Sequence, residues 1–437
     1  MRENSGTGGE LRVKQFSMEE TITNYTDRTS LADAYDHVRR YTERLCEPLA
    51  TDDYQVQSIV QTSPPKWHIA HVSWFFETFV LARFKPGYKP LDARYDHIFN
   101  SYYYTHGEMY PRPKRGLLSR PTVEAVYSYR AHVDEQMSRL IENLDASQWD
   151  DMAFRVELGL NHEQQHQELL LMDVKHNFSI NPLKPAYRDD LPSPRGESRD
   201  MHWVNRHGGI RQIGHRGRRF AFDNESPRHQ VLMREHRLAD RFVTNGEYLG
   251  FMEAGGYRDP GLWLSDGWAL LQQEDLDHPL YWERADGGWM QFTLGGLREL
   301  AADEPVCHIN FYEADAFARW AGKRLPLESE LETMLEEQSV EGNFADQDLL
   351  HPAPAGETGQ WYGDLWAWTA SPYSAYPGFK PLAGSMGEYN GKFMSNQMVL
   401  RGGSCVTSIE HIRPSYRNFF YPDERWAFTG LRLAEDA

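Results

Sequence analysis

The spacing of apolar side chains divides the chain into two parts with different patterns. Across residues 28–180, apolar positions recur roughly every 3.6 residues, which is typical of amphipathic helices. Thr122 is suited to begin one of these helices, because its hydroxyl precedes acidic and apolar residues. Four long helices in succession predict an antiparallel bundle. The predicted helices span Leu31–Leu49, Pro65–Phe84, Thr122–Leu144 and Ser147–His176.

The connection between the second and third predicted helices, residues 85–120, is unusually long and rich in Tyr, Pro and Arg. Connections of this length are usually functional or disordered. The many aromatic side chains argue against disorder. The composition therefore favours a functional segment.

The pattern changes after residues 184–202, a proline-containing stretch that we interpret as a linker. Beyond it, Gly, Trp and short β-rich pieces dominate, and the clearest helical patterns are Ala314–Ala321 and Glu328–Glu337. A chain of 437 residues is also too long for one ordinary core. We therefore predict an α+β protein with four regions: a flexible tail (1–20), a helical bundle (21–183), the linker (184–202) and a second domain (203–437).

Composition and charge narrow the class of function. The net charge of -18 argues against a nucleic-acid binder and is compatible with small-molecule substrates. No run approaches the ~20 apolar residues of a membrane span, and residues 1–16 lack the apolar core of a secretion signal. The three cysteines are far apart and form no even disulfide framework. These features predict a cytoplasmic protein without a membrane or nucleic-acid partner.

A pair of histidines, His162 and His166, is the strongest chemical signal in the chain. Residues four apart share one face of a helix, so both imidazoles can bind one metal ion. A second helical segment supplies His68 and His71, three residues apart and close to one face, and the spacing alone does not separate them. Neutral imidazole is a ligand for Fe, Zn, Cu and Ni. The pattern predicts a three-histidine metal site, against the alternative of ordinary surface or core histidines.

Two neighbours of the pair are placed by the helical angle of about 100° per residue. Glu168 falls about 200° from His166, so we interpret it as a supporting or packing residue rather than a ligand. Gln165 flanks the metal-binding face, where it can contact a bound substrate.

Six segments of the chain carry a recognisable combination of motifs: Ser63–Glu77, Asn100–Tyr103, Pro111–Pro121, His162–Glu168, Leu400–Cys405 and Tyr416–Phe420. Together they resemble the ergothioneine-pathway sulfoxide synthases, non-haem iron enzymes also called hercynine oxygenases. The helical half resembles the DinB-type bundle of that family, and the second half resembles the formylglycine-generating-enzyme fold, a C-lectin-like domain with little regular structure. Cys405 lacks the nearby second cysteine of the formylglycine oxidases, so we interpret it as a small buried residue.

The resemblance implies a specific reaction and a specific metal. It implies that His71, His162 and His166 bind Fe(II), which with O2 joins a cysteine-type thiol to C2 of the hercynine imidazole and yields a sulfoxide. The insert Tyr104–Tyr110 leaves the donor open, and the nearest alternative is a selenosugar, which would make a selenoneine synthase. Another relative, which makes ovothiol, carries a methyltransferase domain that this chain lacks. A non-catalytic metal- or ligand-binding module is the alternative of another class.

The same resemblance assigns roles around an expected site between the two domains. Tyr102 and Tyr103 are the expected catalytic tyrosines. The expected substrate-binding residues are the arginines for the donor carboxylate, the amides for the hercynine imidazole and carboxylate, and the phenylalanines for its trimethylammonium group. These residues are Arg112, Arg115, Gln165, Asn418, Phe419 and Phe420.

Overall fold

The first half of the protein is a bundle of four long helices. The structure, a computed structural model, describes residues 23–194 and 196–437. The predicted tail, residues 1–20, lies outside the described residues. Apart from the second helix, each begins and ends within three residues of its predicted bounds. The predicted helix cap is confirmed, because the Thr122 hydroxyl accepts a hydrogen bond from the Ala125 amide. The bundle helices are α1 (Arg28–Cys46), α2 (Pro65–Phe76), α3 (Val123–Asn143) and α4 (Trp149–Ser179).

The second helix does not run as one regular α-helix to its predicted end at Phe84. After Phe76 the backbone makes a π-helical turn over Glu77–Leu81 and then a short α-turn over Ala82–Phe84. The buried Glu77 carboxylate accepts hydrogen bonds from the hydroxyls of Tyr88, at 2.5 Å, and Tyr129, at 2.6 Å. Periodicity does not reveal a single π-turn, because the apolar pattern continues through it.

The segment 85–120 is ordered against the bundle and contains a short helix, Tyr95–Phe99, and a 3₁₀ segment, Arg112–Leu117. The Asn100 side chain accepts from the Tyr103 amide and donates to the Tyr103 carbonyl. These local bonds hold Tyr102 and Tyr103 near the C-terminal half of α2.

A buried ion-pair network ties three bundle helices together. Glu163 on α4 accepts from Arg130 on α3 at 2.7 Å and from Arg39 on α1 at 2.9 Å, and Thr42 also donates to it at 2.7 Å. The two arginines lower the pKa of the Glu163 carboxyl despite the opposing effect of burial. Glu163 therefore belongs to the bundle core, although it directly follows His162.

Replacing Glu163 by alanine is expected to lower the free energy of unfolding by about 3–5 kcal/mol, because two buried guanidinium groups lose their counter-charge. Urea unfolding followed by circular dichroism measures this change. The matched control is Glu43→Ala, since Glu43 also pairs with Arg130 but its side chain is 44% exposed. That control should cost less than about 1 kcal/mol. Equal losses in both variants would contradict the interpretation.

The second half combines short strands with four helices among the described residues. The helices predicted at Ala314–Ala321 and Glu328–Glu337 correspond to α7 (Phe311–Trp320) and α8 (Glu328–Leu335). Two further helices were not predicted: α5 (Asn245–Glu253) and α6 (Ser265–Glu274). The strands are β1 (Trp203–Arg206), β2 (Gly209–Ile213), β3 (His229–Met233), β4 (His236–Ala239), β5 (Trp282–Ala285), β6 (Gly288–Thr293), β7 (Gly296–Glu299), β8 (Gly342–Asn343), β9 (Tyr362–Gly363), β10 (Trp366–Pro372), β11 (Met398–Arg401), β12 (Asn418–Phe420), β13 (Thr429–Gly430) and β14 (Ala434–Asp436).

One sheet of this domain positions residues against the bundle. Its strand order is β12-β11-β10-β13, with β10 antiparallel to β11 and parallel to β13. The edge strand β12 pairs antiparallel with β11, so that Met398 faces Phe420 and Leu400 faces Asn418. The remaining sheets, β1-β4-β14, β5-β6-β7, β2-β3 and β8-β9, complete the domain.

Helix α4 lies between the bundle core and the second domain, and most of its residues are buried. The Glu168 carboxylate accepts from the Trp366 indole at 2.6 Å and from the Thr407 hydroxyl at 2.7 Å. Near the end of the helix, the Lys175 ammonium lies 2.7 Å from His308 Nε2. Polar bonds thus join α4 to the second domain along its length. None of the described helices has the length and apolar character needed to cross a membrane.

Candidate metal centre and interdomain cavity

Three buried histidines meet on the side of α4 that faces α2. Nitrogen atoms of His71, His162 and His166 all lie within 4.8 Å of one another. His71 Nε2 and His162 Nε2 are 3.2 Å apart. The structure therefore brings together the three residues that the family resemblance implies as ligands.

The ring of His71 is held on both faces and at one edge. It stacks between Trp67, with ring centroids 4.6 Å apart, and Trp74, at 5.5 Å. His71 Nδ1 lies 2.5 Å from the Phe99 carbonyl. A carbonyl only accepts, so Nδ1 carries the proton and the Nε2 lone pair points at the other two histidines.

His68 is not part of the cluster, which resolves the choice that the spacing left open. Its Nδ1 lies 2.8 Å from His166 Nδ1, and its Nε2 lies 2.9 Å from an oxygen of Asp173. His68 thus contacts His166 at the Nδ1 side of its ring.

The surroundings of the three histidines lower their pKa values and so favour the uncharged form of each ring. Burial lowers the pKa of His162 to about 3. Burial and the neighbouring His162 hold the pKa values of His71 and His166 well below the usual histidine range. All three rings are therefore neutral at physiological pH, which is the form that binds metals.

The distance between two of the three donor nitrogens fits a first-row divalent metal. A metal–nitrogen bond of about 2.0–2.1 Å places two ligand nitrogens about 2.9 Å apart at a right angle and about 3.4 Å apart at a tetrahedral angle. The observed 3.2 Å between His71 and His162 lies in this range. His162 Nδ1 is buried and has no hydrogen-bond partner among the described residues. Three neutral nitrogen donors fit iron among other metals.

A cavity of about 390 Å³ opens beside the cluster, at the boundary between the two domains. His162 and His166 form part of its wall, and β12 and the residues that follow it form the opposite side. Ligand sites favour such domain boundaries. The predicted site residues on the wall are Tyr102, Arg112, Gln165, Asn418, Phe419 and Phe420.

Gln165 is held by two tyrosines of the second domain. Its amide nitrogen donates to the Tyr416 hydroxyl at 2.6 Å, and the Tyr389 hydroxyl donates to its carbonyl oxygen. The sequence does not predict either contact, because both tyrosines lie more than 220 positions from Gln165, although Tyr416 begins one of the matching segments. Tyr389 also packs edge-on against His162, with ring centroids 5.5 Å apart.

The two tyrosines expected to be catalytic occupy different places. Tyr102 lines the cavity and contacts Phe393 of the second domain edge-on, whereas Tyr103 is completely buried and packs on Phe79 and Trp74. The two hydroxyl oxygens are 3.5 Å apart. Burial raises the pKa of both side chains above the usual tyrosine range. Both therefore keep their protons at physiological pH.

The two arginines also differ in position, and the substrate-binding role of each stays a prediction. Arg112 lies on the cavity wall. Arg115 is buried away from that wall, with its guanidinium 3.3 Å from the Trp67 ring centroid and donating to Ser63 and Ser101. Since Trp67 stacks on His71, Arg115 supports the metal-binding side instead of facing the cavity.

The segment Asn418–Phe420 faces the cavity as half-buried side chains. Phe419 stacks on Tyr373 with ring centroids 4.0 Å apart, and Phe420 packs edge-on against Trp426 at 5.4 Å. The Asn418 side-chain oxygen accepts from the Phe419 amide at 2.9 Å. The segment thus presents aromatic surface and one amide to the cavity.

Glu168 and Cys405 lie outside the histidine cluster. Burial raises the pKa of Glu168 to about 7, and its carboxyl contacts the second domain as described above. Cys405 is fully buried and unpaired, and burial holds the pKa of its thiol well above the usual range. It is therefore not a reactive thiolate.

Comparison with known proteins matches both halves of the chain. Residues 34–170 match the DinB superfamily, and residues 189–361 and 352–437 match the sulfatase-modifying factor enzyme 1-like domain. Together with the histidine cluster, these matches define a two-domain protein in which a DinB bundle precedes a sulfatase-modifying-factor domain.

Similarity to individual proteins defines the family of this chain more closely. Hercynine oxygenases of Mycolicibacterium smegmatis and Mycobacterium tuberculosis are 32% and 30% identical to it, over 94% and 92% of this chain and 99% and 98% of theirs. The chain belongs to the hercynine oxygenase family and is an oxidoreductase. The formylglycine-generating enzyme of Streptomyces coelicolor is 27% identical over 51% of this chain and 84% of its own.

Proposed function

We propose that the protein joins a cysteine-type thiol to C2 of the hercynine imidazole at an Fe(II) ion held by His71, His162 and His166. The thiol loses its hydrogen, the imidazole loses the hydrogen at C2, and a carbon–sulfur bond forms. One atom of O2 enters the sulfoxide and the other leaves as water. The observation that carries the proposal is the opening of a buried three-histidine cluster into a cavity with an arginine and an aromatic wall.

His71, His162 and His166 would hold the iron(II), which when bound would supply the activation of O2. The residues of this chain do the rest. Gln165, locked by Tyr389 and Tyr416, presents a fixed amide to the hercynine side of the cavity. The Arg112 guanidinium offers a fork for a donor carboxylate. Tyr102 keeps its proton and lines the same cavity as His162 and His166, so it would act as the proton donor.

The cavity wall also suits the trimethylammonium group of hercynine. Aromatic faces attract a quaternary ammonium ion by about 1–2 kcal/mol when the site is desolvated. Phe420→Leu is therefore expected to raise KM for hercynine roughly 5- to 30-fold with little change in kcat. Steady-state kinetics test this. As a control, an analogue with carbon in place of the quaternary nitrogen should lose much less affinity, and equal losses would contradict the cation contact.

A competition assay tests the proposed reaction and its donor. Iron-loaded protein is supplied with hercynine, O2 and equal concentrations of cysteine and a selenosugar, and the products are identified by mass spectrometry. We expect the cysteine-derived sulfoxide. A selenium adduct alone would overturn the choice of donor. The absence of any adduct, together with no hercynine-dependent O2 consumption, would leave a binding module.

A further inference from the structure

A chain of buried hydrogen bonds runs from the second domain to His166. The Trp426 indole donates to Asp173 Oδ1 at 3.0 Å, and Asp173 Oδ2 lies 2.9 Å from His68 Nε2. His68 Nδ1 then lies 2.8 Å from His166 Nδ1. All four side chains are at most 9% exposed. This series of hydrogen bonds therefore links Trp426, near the C-terminus, to the histidine cluster through side chains that are shielded from water.

The hydrogen-bond donors fix the direction of this chain. Asp173 accepts from the Trp426 indole and, at 2.7 Å, from the Ser63 amide, and a carboxylate oxygen also faces His68. An ionised carboxylate only accepts, so His68 Nε2 carries the proton. A His68 ring whose single proton is on Nε2 accepts at Nδ1, and His166 then donates to it through its own Nδ1. This tautomer leaves His166 Nε2 free for a metal.

The three histidines of the cluster have different supports. His71 uses the Phe99 carbonyl. His162 Nδ1 has no partner within residues 23–194 and 196–437. Tyr389 packs against His162, but among the described residues the hydrogen-bonded support that crosses the domain boundary is that of His166, which ends on Trp426.

We infer that Asp173 and Trp426 are positioning residues that hold His166 in its metal-binding tautomer through His68, so that metal retention depends on docking of the second domain. This inference rests on the metal site of the proposed function. It goes further, because it gives the second domain a role in keeping the metal in addition to lining the cavity. Partners of this kind typically change metal affinity 10- to 100-fold.

The chain supplies a matched control at the same interface. Trp366 also donates its indole N–H to a carboxylate of α4, Glu168, at 2.6 Å. That bond joins the same two domains but does not continue to a histidine of the cluster. Each of the variants Trp426→Phe and Trp366→Phe thus removes one indole–carboxylate hydrogen bond between the domains. Of the two, Trp426→Phe interrupts the series of hydrogen bonds that leads to His166.

The experiment measures Co(II) binding to the full-length protein without substrate, by competition with a chelator, and records the visible ligand-field spectrum. We expect Asp173→Asn to weaken Co(II) binding roughly 10- to 100-fold and Trp426→Phe roughly 2- to 10-fold. Both should alter the spectrum. Trp366→Phe should match wild type, and His166→Ala should bind Co(II) more weakly than any of these. Circular dichroism establishes which variants are folded, and Trp426→Phe carries the test if Asp173→Asn is not.

Two results would overturn the inference while leaving the metal site intact. One is wild-type Co(II) affinity in folded Asp173→Asn or Trp426→Phe when His166→Ala has lost the metal. The other is an equal loss in Trp366→Phe and Trp426→Phe, which would indicate general loosening of the interface. Wild-type affinity in His166→Ala would instead overturn the metal site itself, and the inference with it.

Discussion

His162→Ala is expected to abolish hercynine-dependent O2 consumption and to lower iron affinity by more than about 100-fold. The side chain supplies one of three neutral nitrogens in the cluster, 3.2 Å from that of His71. Loss of a direct ligand should exceed the 10- to 100-fold effect of losing an outer hydrogen-bond partner. Iron analysis after gel filtration and an oxygen electrode measure the two effects.

The matched control is His176→Ala. His176 lies on the same helix and is also buried, but its ring contacts the Ser58 hydroxyl at 2.6 Å and lies outside the cluster. This variant should keep its iron and its O2 consumption. If His162→Ala retained iron-dependent O2 consumption at the wild-type rate, the three-histidine site would be wrong.

Tyr102→Phe is expected to lower the rate of sulfoxide formation by roughly 10²–10⁴-fold while iron content stays unchanged, as for the loss of a positioned proton donor. The hydroxyl belongs to a residue on the cavity wall, and burial keeps its pKa above the usual range, so that it acts as a donor rather than a base. Single-turnover product formation, read by mass spectrometry, measures the effect.

Tyr103→Phe is the control, because it removes a neighbouring hydroxyl from a fully buried ring. That hydroxyl lies 3.5 Å from the Tyr102 hydroxyl, and Tyr103 is not one of the described residues that line the cavity. Its loss should therefore slow product formation much less. An equal or larger loss in Tyr103→Phe would contradict the assignment of Tyr102 as the proton donor.

The helices of the bundle were predictable because each is long and periodic. The π-turn at Glu77–Leu81 was not, because α2 is buried on every side, so its apolar pattern has no single face whose shift would mark one extra residue. Helices α5 and α6 were missed, and α5 contains glycines at 246 and 250, which lower helix propensity.

The candidate site was predictable where one helix carries it. The spacing of His162 and His166, and the angle that turns Glu168 away from them, are properties of a single helix. Asp173 was within reach of the same reasoning, since it lies seven positions after His166 and so returns to a nearby face. Tyr389, Tyr416 and Trp426 were not, because only tertiary contact brings them to α4. The sequence also does not distinguish Arg112 from Arg115, since their proximity in one loop does not determine which of them faces the cavity.

The most direct test of the account uses hercynine deuterated at C2 of its imidazole. Iron-loaded protein is incubated with this substrate, cysteine and O2, beside an iron-free control that measures exchange with water. We predict a cysteine–hercynine sulfoxide that has lost the deuterium, because the carbon–sulfur bond replaces the C2 hydrogen. A sulfoxide that retains the deuterium, or hercynine recovered without any sulfur adduct, would contradict the proposed reaction.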